Sequence, residues 1–176
     1  MNIPNLISLF RLLLIPVFTA CCFMKIPNNE IWAAGVFTLS GISDVVDGYI
    51  ARKYKLITDL GQILDPLADK LMQINVTVCL LIMGAIPWWV LIVLILKETA
   101  MLLGGYVLYS DNLKVMSSRW FGKVSTVIFY IVALISILYP HFSPLYQNIM
   151  WAIPIATSLY CLIMYFMEFI KKEKKK

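Results

Sequence analysis

The chain has 176 residues, 61% of them hydrophobic and only 14% charged, with a formal net charge of +5. An average soluble domain is far less apolar, at about 45–50%, so the composition excludes an ordinary water-soluble fold and places the chain in a membrane. Crossing about 30 Å of hydrocarbon takes roughly 20 helical residues, and the sequence offers six apolar runs of that order. They are Leu6 to Met24, Ile31 to Tyr54, Leu64 to Ala85, Trp88 to Tyr109, Trp120 to Tyr139 and Ile149 to Phe169. None shows the strict alternation of a lipid-facing strand, so the expected fold class is an all-α integral membrane protein of six transmembrane helices.

The first run lacks the basic start of a signal peptide, and Arg11 interrupts its apolar part, so it is expected to remain as a spanning helix. Pro16, Pro66 and Pro154 fall within or at the start of runs and are expected to kink them. Pro4, Pro27, Pro87, Pro140 and Pro144 stand at run edges, where a missing backbone donor does little harm. Lys and Arg in the short connections set orientation. Arg52, Lys53 and Lys55, then Lys114, Arg119 and Lys123, then the tail "KKEKKK" share one side, against Lys25 on the other. Both termini are therefore expected in the cytoplasm. The tail reads as an anchor to anionic lipid headgroups rather than a nucleic-acid arm. Residues 1–170 read as one transmembrane domain and 171–176 as a basic cytoplasmic tail. Cys21, Cys22, Cys79 and Cys161 lie inside runs without the spacing of a zinc site and read as small buried residues. His141, between Pro140 and Phe142, is assigned no role.

The stretch "SDVVDGYIARKYKLITDLGQILDPLADK", residues 43 to 70, sets four aspartates beside these apolar runs. Helical residues turn by about 100° each, so Asp44, Asp47, Gly48 and Ala51 fall on one stripe of the second helix. Gly61, Asp65 and Asp69 share a face of the third. A short basic connection makes the two helices antiparallel and is expected to bring both stripes together at the cytoplasmic surface. Ionised side chains inside the membrane cost about 2.5–3.5 kcal/mol each even on a lenient scale. Three arrangements offset that cost: a salt-bridged seam in which Arg52 and Lys70 neutralise two charges, an ion pathway, or a site for divalent cations. Hard carboxylate oxygens suit magnesium or manganese, and Gly48, Ala51 and Gly61 leave room for a phosphate-bearing ligand.

The same residues carry a resemblance. Asp44, Asp47, Gly48, Ala51, Arg52, Gly61, Asp65 and Asp69 match, position for position, the signature of the CDP-alcohol phosphotransferase family. The opening "NIPNLISLFRLLLIP" resembles its phosphatidylglycerophosphate synthase and cardiolipin synthase branches. The resemblance implies a transferase acting on CDP-diacylglycerol, with Asp44, Asp47, Asp65 and Asp69 holding two divalent ions, Mg2+ or Mn2+. Asp69 would be the general base toward an acceptor hydroxyl, with CMP the leaving group. Gly48, Ala51, Arg52 and Gly61, with Asp44, would line the nucleotide and phosphate pocket. A homodimer is implied as well.

Glycerol 3-phosphate brings its own phosphate, for which Arg11, Lys97, Arg119 and Lys123 are the candidate cations, with Lys114 beside them. Each has a plainer reading: Arg11 or Lys97 pairs with Glu98, and the others are inside-positive charges. Phosphatidylglycerophosphate synthases resemble one another in an arginine-glutamate pair on the fourth helix, followed by a further arginine. Here the pair is Lys97 and Glu98, and "MLLGGY" follows. Glycerol 3-phosphate leads as acceptor because that step is general to bacterial-type membranes; phosphatidylglycerol, the acceptor of a cardiolipin synthase, is the alternative. A divalent-cation channel or carrier is the rival from another class, and a catalytically dead scaffold is the third reading.

Overall fold

The computed structural model describes the backbone of residues 3–54, 59–110 and 120–173. Within these stretches it describes all side chains except those of 3–5, 50–52, 54, 59, 60, 62, 63, 102–110, 120, 121, 165 and 168–173. Arg119, Lys114, Lys55 and the last three lysines lie outside the described residues, as do the side chains of Ala51 and Arg52. Every described element is helical: α1 Ile3–Phe23, α2 Asn29–Tyr54, α3 Asp59–Ile82, α4 Trp88–Ser110, α5 Trp120–Leu138 and α6 Pro144–Glu173.

The helix ends follow from local chemistry. The Asn29 amide donates to the carbonyl of Cys22 at 3.2 Å, satisfying an acceptor left open where α1 stops. Asn28 tolerates the left-handed φ of 56° needed just before α2. After α3, Gly84 takes φ 71°. Its N–H donates to Leu81 O at 3.0 Å, and that of Ala85 to Leu80 O at 2.9 Å, the paired bonds of a glycine-closed helix end. Pro144 opens α6, a position where its fixed φ helps and its missing N–H costs nothing.

The chain falls into two compact units, residues 1–85 with 133–141, and residues 86–132 with 142–176. In the first, α1 packs along both α2 and α3. Its core holds Phe18 and Phe37, ring centroids 6.1 Å apart, with buried Ala33, Ala34, Met72, Val76 and Leu80. A polar clip joins α1 to α3 near Pro16: Thr19 Oγ1 and Asn75 Oδ1 lie 3.1 Å apart, and Asn75 Nδ2 donates to Thr19 Oγ1 at 3.0 Å. In the second unit α4 packs on α6, the fully buried Trp151 meets Phe129 edge to face at 5.7 Å, and Trp89 Nε1 donates to Asn148 Oδ1 at 2.8 Å.

Apolar side chains cover much of the exterior, among them Leu13, Val45, Trp88, Leu96 and Phe166, while Ser8, Arg11, Asp47, Gln73 and Thr77 are inside. Two described helices, α1 over Leu6–Phe23 and α6 over Pro144–Met164, are long and apolar enough to cross a membrane. The charged side chains of the acidic stripes, Asp44 and Asp47 on α2 and Asp65 and Asp69 with Lys70 on α3, lower the hydropathy of those two helices.

Candidate functional site

Three of the four aspartates on the stripes of α2 and α3 meet α1, which inserts polar groups of its own. Arg11, on the stripe of α1 that also carries Ser8, is fully buried. Its guanidinium forks between two carboxylates one turn apart on α2. One terminal nitrogen donates to Asp44 Oδ1 at 2.6 Å and the other to Asp47 Oδ2. Asp47 is 2% exposed and Asp44 41%, so the fork spans the seam from its floor to its mouth. One turn earlier on α1, the buried Ser8 hydroxyl donates to Asp65 Oδ1 on α3. The fourth aspartate, Asp69, accepts from Gln73 Nε2 at 2.9 Å along the same helix face. Gly61 is buried and Gly48 half-buried, on the stripes where the sequence puts them, and Lys70 is half-buried beside Asp69.

Arg11 is thus a shared counter-charge for two carboxylates, and its planar fork suits that task better than the single point charge of a lysine. Its Nε is buried with no hydrogen-bond partner, an orphan donor of a kind that costs about 1–3 kcal/mol. The Ser40 hydroxyl, one turn before Asp44 on α2, is likewise buried and unpartnered.

Some expectations need revising at this point. The sequence suggested Arg52 and Lys70 as neutralising cations; the side chain of Arg52 lies outside the described residues, Lys70 stands beside Asp69 on α3, and α1 adds a further cation, Arg11, at Asp44 and Asp47. It also offered Glu98 as the plain partner of Arg11 or Lys97. Lys97 does pair with Glu98 within the second unit, whereas Arg11 takes the aspartates. Lys123 is exposed on α5, also in the second unit. Ser8 and Gln73 were missed, though each continues a legible stripe: Gln73 follows Gly61, Asp65 and Asp69 at four-residue spacing, and Ser8 stands three residues before Arg11.

Among the described residues, no three His, Cys, Asp or Glu side chains stand close enough together to hold a metal ion. The donor set still fits a hard divalent cation. It offers carboxylate oxygens with neither sulfur nor imidazole among them, and two of those carboxylates require positive charge strongly enough to bury a guanidinium.

The comparisons with known proteins agree with this chemistry. Over 171 residues the chain is 30% identical to proteins of Mycobacterium tuberculosis and Mycobacterium bovis named putative cardiolipin synthase, covering 97% of this chain and 80% of theirs. It is 34% identical over 137 residues to the CDP-diacylglycerol–glycerol-3-phosphate 3-phosphatidyltransferase of Bacillus subtilis, covering 71% of this chain and 70% of that one. It is 33% identical over 129 residues to a CMP-forming cardiolipin synthase of Streptomyces coelicolor, covering 72% and 60%. The model of the CDP-alcohol phosphatidyltransferase family matches residues 1–165, and the chain belongs to that family.

Proposed function

We propose that the protein transfers the phosphatidyl group of CDP-diacylglycerol to an alcohol hydroxyl and releases CMP. The observation that carries this reading is the engagement of Asp44, Asp47 and Asp65 by Arg11 and Ser8 of α1, with Asp69 one turn further along α3, at the signature positions of a family whose model covers nearly the whole chain. The acceptor oxygen attacks the phosphorus nearer the diacylglycerol, the bond from that phosphorus to the CMP oxygen breaks, and the acceptor proton passes to Asp69. Asp44, Asp47, Asp65 and Asp69 would hold two divalent ions, magnesium or manganese, which neutralise the diphosphate and stabilise the departing CMP. Gly48, Ala51 and Gly61 give the nucleotide diphosphate close access to the backbone, and Arg52 supplies further donors.

The acceptor we propose is glycerol 3-phosphate, as in the name of the Bacillus relative, with Arg11, Lys97, Arg119 and Lys123 as the candidate cations for its phosphate. The second reading, phosphatidylglycerol, is favoured by the match of 97% of this chain to proteins named putative cardiolipin synthase. It is favoured also by the pairing of Lys97 with Glu98, which satisfies a cation the first reading would use. We further propose six spans with the site and both termini on the cytoplasmic side, a lysine tail beyond residue 170 lying on anionic lipid, and assembly as a homodimer. The outward apolar side chains and the one-sided lysines and arginines support that placement.

The test supplies purified protein with labelled CDP-diacylglycerol and, separately, glycerol 3-phosphate, phosphatidylglycerol, serine or an inositol phosphate, and identifies the lipid formed. Phosphatidylglycerophosphate supports the first reading and cardiolipin the second. Serine or inositol lipids would overturn both acceptors, and cation flux without CMP would replace the enzyme with a carrier.

A further inference from the structure

Arg11 engages two of the four aspartates at once, and it does so from a third helix. The carboxylates it grips, through Asp44 Oδ1 and Asp47 Oδ2, are two of the four proposed above to hold the divalent ions. A guanidinium and a dication on the same carboxylates bring two positive centres close together in a low-dielectric seam, where their repulsion is costly. We propose that Arg11 is a built-in competitor of the divalent ions. It holds Asp44 and Asp47 while the ions are absent, and ion loading requires the guanidinium to leave at least one carboxylate.

This inference rests on the metal-dependent reading above and adds to it a residue that sets how tightly the ions are held. Three features support displacement over permanent bracing. The Asp44 end of the fork is 41% exposed, so that carboxylate can be reached without unpacking α1 from α2. The fork is incomplete, because Nε is buried without a partner, so the guanidinium is not locked by a full set of acceptors. Arg11 also lies five residues before Pro16. Proline leaves a carbonyl of the preceding turn without its helical donor and loosens α1 close to where the side chain must move.

The competition has a measurable consequence. Taking Arg11 away should strengthen ion binding while weakening the ion-free protein. The experiment measures Mn2+ binding to the full-length protein in detergent by the loss of the free-ion electron paramagnetic resonance signal, with thermal unfolding recorded in parallel. Wild type is compared with Arg11→Gln and Arg11→Lys. Arg11→Gln is expected to bind Mn2+ about tenfold or more tightly than wild type, a modest demand on the removal of a full adjacent charge. Its metal-free melting temperature is expected to fall and its Mn2+-induced rise to grow. Arg11→Lys keeps a charge but cannot fork, so a smaller gain in affinity is expected, and it serves as the probe should the glutamine variant not fold. Equal or weaker Mn2+ binding by the folded variants, with wild-type binding intact, overturns the competitor and leaves the ion site standing. If neither wild type nor variants bind Mn2+, the ion site itself falls, and the competitor with it.

Discussion

Arg11 on α1 and Asp47 on α2 form an ion pair with both side chains buried, and this pair decides how the acidic seam is built. The two charges are 36 residues apart in the chain and meet because α1 packs along α2. Breaking a buried pair by removing one partner typically costs about 3–5 kcal/mol, since the other charge is left uncompensated. The pair therefore couples the stability of the first unit to the integrity of the site.

Asp69→Asn tests the proposed base. The amide keeps the size of the carboxyl and can still meet Gln73 Nε2 through its oxygen, so folding should be unchanged. CMP release should fall by about 10²–10⁴-fold, the usual worth of a positioned base. Release at the wild-type rate from a folded, monodisperse Asp69→Asn preparation would remove Asp69 from that role.

Asn75→Leu tests the clip between α1 and α3. It removes the amide that donates to Thr19 Oγ1 and reaches Ile15 O. Interhelical hydrogen bonds of this kind are worth about 0.6 kcal/mol on average in a membrane protein and up to about 1.7. A small drop in thermal stability is expected, measured in detergent with CDP-diacylglycerol absent. A loss several times larger would mean that the clip sets the packing of the first unit rather than trimming it.

Much of this framework can be read from the sequence, because hydropathy marks where the helices lie, though not where each one begins. The six runs correspond to α1 through α6, with differences at the edges. The third run was placed from Leu64 and the helix starts at Asp59, because the polar turn "DLGQI" is helical without being apolar. The sixth was placed from Ile149 and the helix starts at Pro144, for the same reason. The stripe of Asp44, Asp47 and Gly48 was legible from helical periodicity, as was that of Gly61, Asp65 and Asp69. The partner of Arg11 was not. Choosing among Asp44, Asp47 and Glu98 requires the rotation of α1 about its own axis, which is fixed by how Phe18 and its neighbours pack against Phe37 rather than by any local signal.

Gly84→Ala isolates a backbone effect. Nothing lies within 4 Å of where a Cβ would stand, so no contact is lost or strained, and the cost comes from the left-handed φ of 71° alone. About 1–2 kcal/mol of destabilisation is expected, with activity per folded molecule unchanged. Thermal unfolding checks the first and CMP release the second; an unaltered melting temperature would show that the turn after α3 tolerates a side chain.

Trp151→Ala addresses the second unit. The ring is fully buried against Phe129, and truncating a buried aromatic to alanine typically costs about 3–5 kcal/mol. The fraction surviving as monodisperse protein on heating should fall sharply. Exchange of the outward-facing Ile163, 57% exposed, for leucine should have almost no effect, and similar losses in both would contradict the assigned packing of α6.

The most direct test of the central claim is CMP release from labelled CDP-diacylglycerol by the purified protein, followed while divalent ions are removed with a chelator and then restored. With acceptor present, the account predicts that release stops on chelation, returns with magnesium or manganese, and yields one CMP for each new phospholipid. Unchanged release in excess chelator, or a folded protein that passes divalent cations across vesicles and never releases CMP, would contradict it.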